Sequence, residues 1–454
     1  MCTWPSSEGL FIFNVDMATI LNLQEPQRHV PDVPSWKAFF EIGFRPLYLA
    51  GSFWALVSIL LWVFVPEGLV GEINGVLWHA HEMLWGFVVT VAVGFLLTAS
   101  SSWTGITPLK GRALAVVCVL WLLARLSYLV PGISALIAAT VLDALFLLGS
   151  AFALGRVLYR ARSWRNMGIA LILVALSISH VAFVYAAVTS DYAQTLRWFD
   201  AGLMFMAMLV LLIGRRVIPF FASRGVESLA LPRLVRSGQF QLLLSVLAVW
   251  AYAINQSVLL SSTLAMIGVI SVIQVVLWKP YKVIHHPVQW ILYLGYGLTG
   301  VGMLLAAWQI QSETMRFAWP IHVIGMGGFS VLILGMMTRT GLRHLGFPLI
   351  LNRSMKTSYS FAFVGIGTSV MANVACGSAS LDNCHGPVFE RFCSRHDSSL
   401  CRQKPDDRST SSNSPAGSKN QPTIIFKFRQ KGFHASHQSH RLCVAFADLR
   451  GKQP

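Results

Sequence analysis

Trp78-His79-Ala80-His81-Glu82-Met83-Leu84-Trp85 opens an apolar run that continues through Gly86-Phe87-Val88-Val89 to about Thr98. Such a run matches the ~20 residues with which an α-helix crosses ~30 Å of hydrocarbon. Two imidazoles and a carboxylate therefore stand at the mouth of a membrane-spanning helix. Ionisable groups at that depth are costly unless they are paired, bind a metal or face an aqueous cavity. The rest of the chain reads as a scaffold that brings partners to this cluster.

The composition agrees with a membrane reading. Of 454 residues, 55% are hydrophobic and only 12% charged, against roughly 25% charged in soluble domains. Alternating short strands are absent, which argues against an outer-membrane barrel. The expected class is all-α, a polytopic transmembrane helical bundle whose main partner is the lipid bilayer. The net charge of +16 is not a nucleic-acid signal. Residues 1–349 hold 21 Lys/Arg against 13 Asp/Glu, and this excess lies in short loops; residues 350–454 hold 14 against 6. Seven cysteines carry no C-x-x-C pair, so neither a zinc site nor a disulfide frame is indicated.

Ten spans follow, at about 46–65, 78–99, 113–130, 133–155, 167–188, 199–219, 239–255, 261–278, 288–308 and 319–337. Loop charge tests the count. Lys110 and Arg112, then Arg156, Arg160, Arg162 and Arg165, then Arg215, Arg216, Arg224, Arg233 and Arg236, then Lys279 and Lys282, then Arg339 and Arg343 fall in every second loop, all on one side. The intervening loops carry almost no basic residue. By the positive-inside rule the N-terminus and the tail are cytoplasmic. The first 30 residues lack a charged segment followed by an apolar core, so no cleavable signal peptide is expected, and Met17 is an alternative start. The expected domains are an N-terminal segment at 1–40, a membrane domain at 41–349 and a polar tail at 350–454. In the tail periodicity vanishes, stretches such as 406–419 read as disordered, and the one weak apolar stretch, 359–375, is Gly/Ser-rich. A native tail and an aberrant, frame-shifted end both fit that composition.

Loop polarity also gives each buried polar residue a depth. His79, His81 and Glu82 begin span two, His180 lies two turns from the end of span five, and His322 is one turn into span ten. These four histidines share one outer layer. Arg125 lies in the outer half of span three and Asp143 near the middle of span four. Residues i and i+2 of a helix stand ~200° apart around its axis. His79 and His81 therefore address two different neighbours rather than one metal. Neutral imidazole ligates haem iron and copper, and it equally makes helix–helix hydrogen bonds. Arg125 and Asp143 form an ion pair, or Arg125 holds a carboxylate of a haem. His285 and His286 read as a solvated face.

Several segments, taken together, resemble the NnrS family. They are Gly43-Phe44-Arg45-Pro46, Trp78-His79-Ala80-His81-Glu82-Met83, Gly94-Phe95-Leu96-Leu97-Thr98-Ala99, Trp103-Thr104-Gly105, Arg216-Val217-Ile218-Pro219-Phe220-Phe221 and Gly335-Met336-Met337-Thr338-Arg339. The resemblance covers about 40–349. It implies a twelve-helix bacterial inner-membrane protein that binds haem and copper and is linked to nitric oxide metabolism, denitrification or nitrosative stress. Nitric oxide or its iron adducts would then be partners. The ligands so implied are His79, His81, His180 and His322 for the metals, with Arg125 on the cofactor and Glu82 and Asp143 as supporting or proton-path residues. This chain departs from the pattern at Leu292-Tyr293-Leu294, where members often carry a histidine, and in its tail, where two final helices would stand. No catalytic step is assigned, because no acid–base pair is evident beyond Glu82. The rival readings are a proton-coupled solute transporter and a structural membrane protein without cofactor. The transporter reading expects an internal repeat, and the two five-helix halves share no motif.

Overall fold

In the computed structural model every one of the ten apolar runs is a helix. The structure describes residues 35–378 apart from 70–71, 74, 190, 227–228, 233 and 313–317. The expectations for residues 1–34 and for the tail beyond 378 lie outside the described residues, as does Arg233.

The helices are α1 (Phe44–Phe64), α2 (Gly75–Thr104), α3 (Arg112–Ser127), α4 (Ile133–Arg160), α5 (Met167–Val188), α6 (Tyr192–Gly225), α7 (Val235–Ala253), α8 (Ser257–Leu277), α9 (Pro287–Gln311), α10 (Trp319–His344) and α11 (Arg353–Ser378). Eight of these segments are long and apolar enough to cross a membrane. The exceptions are α3, which has only 16 residues, α7, which opens on the polar Val235-Arg236-Ser237-Gly238-Gln239, and α11. Most sequential helices pack side by side, from α3 on α4 to α9 on α10, and α9 is central, touching α6, α8 and α10. Helix continues past residue 349, the expected end of the membrane domain. The Gly/Ser-rich stretch at 359–375 lies within α11, whose Phe363 and Ile366 pack on the core.

Two of the helices are not regular. Residues Glu82–Val89 of α2 and Val323–Ser330 of α10 are wound as π-helix. This wider turn inserts a residue into the helical ladder and commonly marks functional sites. Each π segment begins directly after a histidine, His81 in one and His322 in the other.

That coincidence exposes an internal repeat, which corrects the sequence expectation of none. A shift of 241 residues carries Trp78 onto Trp319, His81 onto His322, Gly86 onto Gly327, Gly94 onto Gly335 and Gly105 onto Gly346. It superposes the limits of both π segments and the starts of α3 and α11, Arg112 and Arg353. Gly105 and Gly346, both past the helix end, have φ of +71° and +74°. For the preceding helix the shift is 244, which maps Gly51 onto Gly295. The contacts repeat as well. A Cβ on Gly51 would meet Val91 and the carbonyl of Phe87; one on Gly295 would meet their equivalents, Leu332 and the carbonyl of Gly328. Gly94 faces Leu47 and Tyr48, and Gly335 faces Ile291 and Leu292. Gly86 faces Trp54 and Arg125, and Gly327 faces Leu298 and Ile366. The repeated unit is thus three helices, α1–α3 and α9–α11, running in the same direction. Comparing five-helix halves misses it.

This close packing is testable. A Cβ on Gly295 would sit 2.9 Å from the backbone nitrogen of Leu332 and 3.0 Å from the carbonyl of Gly328, whereas one on Gly149 meets nothing within 4 Å. Gly295→Ala is expected to destabilise the bundle by about 1–3 kcal/mol, as overpacking does, and Gly149→Ala not at all, read by thermal unfolding in mild detergent.

Candidate functional site

The first copy of the repeated unit carries His81, Glu82 and Arg125, and α4 and α5 beside it add Asp143 and His180. The π turn folds the Glu82 side chain back against Gly86, where a Cβ would lie 2.5 Å from Oε2. From there Glu82 accepts three hydrogen bonds. Trp54 Nε1 of α1 donates to Oε2 at 2.6 Å, Arg125 Nη1 of α3 donates to Oε2 at 2.5 Å, and His81 Nδ1 donates to Oε1 at 2.8 Å. Arg125 also donates through Nη2 to Asp143 Oδ2 of α4. Arg125 thus pairs with both Glu82 and Asp143. Its guanidinium lies 5.0 Å from the centroid of Tyr128, and Glu82, Arg125 and His81 are fully buried.

The bond to Glu82 fixes the tautomer of His81 and leaves Nε2 with a lone pair. That atom points at His180 Nε2 of α5, 3.0 Å away. Tyr128 Oη is 3.0 Å from His180 Nε2, and Asp143 Oδ2 is 3.4 Å from it. One donor atom each from His81, Asp143 and His180 lies within 4.8 Å of the others, all buried. The surroundings are dry and aromatic: Trp85 and Phe183 pack on His81, and Trp85 Nε1 donates to the carbonyl of Leu176, tying the π turn to α5.

Counted in their ionised forms, two carboxylates face one guanidinium. The cluster is one positive charge short of neutrality. An unpaired charge in so dry a place is expensive, and a cation held by the imidazoles, or a proton taken up by them, would supply the balance. The donor set, two imidazole nitrogens with carboxylate and phenol oxygens, suits a borderline divalent ion such as copper.

The four expected histidines thus divide into two pairs rather than meeting at one point. His79 turns the other way, as its ~200° separation from His81 requires. It stacks on Trp62 with ring centroids 4.2 Å apart and is an electrostatic neighbour of His322. His322 Nδ1 donates to the carbonyl of Ala318 at 2.9 Å, which leaves its Nε2 available. Both rings are half-buried. Asp200, at the same level, accepts from Tyr252 Oη at 2.8 Å, and His285 and His286 are exposed.

Sequence reading missed Trp54 and Tyr128. Tyr128 was within reach, because it follows Arg125 by three residues and so shares its face of the helix. Nothing in the sequence marks Trp54.

The second copy keeps the frame and drops the charges. Glu82 is replaced by Val323, Arg125 by Ile366 and Trp54 by Leu298, while the histidine, the glycines and the π turn remain.

Fold and site define a multi-pass helical membrane protein with a buried histidine–carboxylate cluster where the first copy of a three-helix duplication meets α4 and α5. The chain belongs to the NnrS family: the family model described as NnrS protein matches residues 38–384. The match extends past residue 349 to take in α11. No curated protein and no solved structure matches the chain.

Removing the shared guanidinium should cost more than removing the whole set. Arg125→Met leaves two buried carboxylates facing each other and is expected to destabilise by about 3–5 kcal/mol, the cost typical of breaking a buried pair. Adding Glu82→Gln and Asp143→Asn to it should recover part of that loss, measured by thermal unfolding of the single and triple variants.

Proposed function

We propose that this protein binds haem and copper through its histidines and serves nitric oxide metabolism or the response to nitrosative stress. It would do so in the bacterial inner membrane, with N-terminus and tail in the cytoplasm. One observation carries the reading: His81, His180 and Asp143 converge in a dry, buried cluster that is a positive charge short. Family membership supports it, and so does the loop-charge pattern for orientation.

On this reading His81 Nε2, His180 Nε2 and Asp143 hold copper, with Tyr128 Oη beside them, and His79 and His322 are the candidates for haem iron. Bound haem or copper would supply nitric oxide binding and one-electron chemistry. The chain's own residues do the rest. Glu82 fixes the His81 ring, as carboxylates behind metal-bound imidazoles do. Arg125 holds Glu82 and Asp143 apart from solvent and from each other, and Trp85 and Phe183 keep water from the imidazoles.

A proton-coupled transporter is the second reading, and the internal repeat favours it more than the sequence did. Repeats running in parallel occur in transporters. The linked groups Glu82, His81, His180, Tyr128, Asp143 and Arg125 form a continuous hydrogen-bonded chain of the kind that carries protons.

Metal analysis and an absorption spectrum of the purified protein separate the two. The metal reading expects copper to fall in His81→Ala and His180→Ala, and a Soret band to fall in His79→Ala and His322→Ala. A folded, colourless and metal-free wild type, with proton-coupled uptake in vesicles, contradicts it and leaves the transporter.

A further inference from the structure

The two copies of the three-helix unit differ at their basic ends. In the first, Thr98 closes on its own unit: its hydroxyl accepts the backbone N–H of Phe44 at 3.0 Å and donates to the carbonyl of Gly94 at 2.8 Å. The 241-residue shift places Arg339 at the equivalent position. Arg339 is 7% exposed, its guanidinium lies 3.8 Å from the centroid of Phe221 on α6, and its Nη1 has no hydrogen-bond partner. Its charged surroundings do not neutralise it. Arg343, one turn on, is its electrostatic neighbour. Arg224, three residues beyond Phe221, lies 4.6 Å from the ring of Phe220. Among the described residues no carboxylate pairs with any of the three.

A buried guanidinium without an acceptor is costly, and its planar fork matches two oxygens of a phosphate. A buried guanidinium with an unmatched donor, flanked by the exposed Arg343 and Arg224, describes an anion site. Its position indicates the source. It lies at the end of the spans where basic side chains collect, at the level of lipid headgroups. We infer that Arg339, with Arg343 and Arg224, holds the phosphate of an anionic phospholipid between α6 and α10. This site is separate from the histidine cluster and independent of the function proposed for it.

The test compares wild type, Arg339→Gln and Arg343→Gln. Native mass spectrometry reads retained phospholipid, and thermal unfolding in mild detergent is followed with phosphatidylglycerol, phosphatidylcholine or inorganic phosphate added. Wild type should retain anionic lipid and be stabilised by phosphatidylglycerol but not by the other two. Both effects should fall at least by half in Arg339→Gln. Arg343 is exposed, so Arg343→Gln keeps the test available if Arg339→Gln does not fold, and it too should lose part of both effects. Equal retention and equal stabilisation in every variant that folds, or no preference for phosphatidylglycerol in wild type, overturns the inference. Equal stabilisation by inorganic phosphate keeps an anion site and overturns the lipid as its occupant.

Discussion

Arg125, fully buried, is shared between Glu82 and Asp143, two carboxylates buried with it. The low polarity around it makes each of these contacts strong and makes the loss of any one expensive. Through it α2, α3 and α4 are held at one level, and Trp54 and His81 fasten α1 and the π turn to the same point. Such an arrangement is a poor way to gain stability, since apolar packing does as well. It is an effective way to fix where two imidazole nitrogens point. The site exists because the charge is awkward to bury.

The duplication separates frame from chemistry. The second copy repeats the glycine contacts, the π turn and the histidine, and it does so with Val323, Ile366 and Leu298 where the first has glutamate, arginine and tryptophan. The fold therefore does not need the ionic cluster. The cluster forms where the first copy meets α4 and α5, which supply Asp143 and His180. His322, kept without its ionic neighbours, sits in a setting suited to different chemistry from that of His81.

Much of this was legible in the sequence. The spans follow from apolar run length, and loop charge sets their alternation. Depth then put His79, His81, His180 and His322 in one layer and Arg125 within reach of Asp143. Helix geometry alone said that His79 and His81 look in different directions, and they do. Other features depend on tertiary contact and left no local trace. His81 meets His180 across 99 residues of sequence, and Trp54 reaches Glu82 only because Gly86 opens the space. The repeat was hidden because its identities are sparse and its unit is three helices at a spacing unrelated to half the chain. Helix α11 was hidden by glycine and serine, which weaken a sequence signal but are tolerated where neighbours pack closely.

On the proposed reading the buried cluster receives a cation on His81 and His180. Copper-edge X-ray absorption of the copper-loaded protein tests it directly. Two imidazole ligands with the remaining positions filled by oxygen are expected, and one imidazole fewer in each of His81→Gln and His180→Gln. A sulfur-dominated shell, or a two-imidazole shell unchanged in both variants, would contradict it.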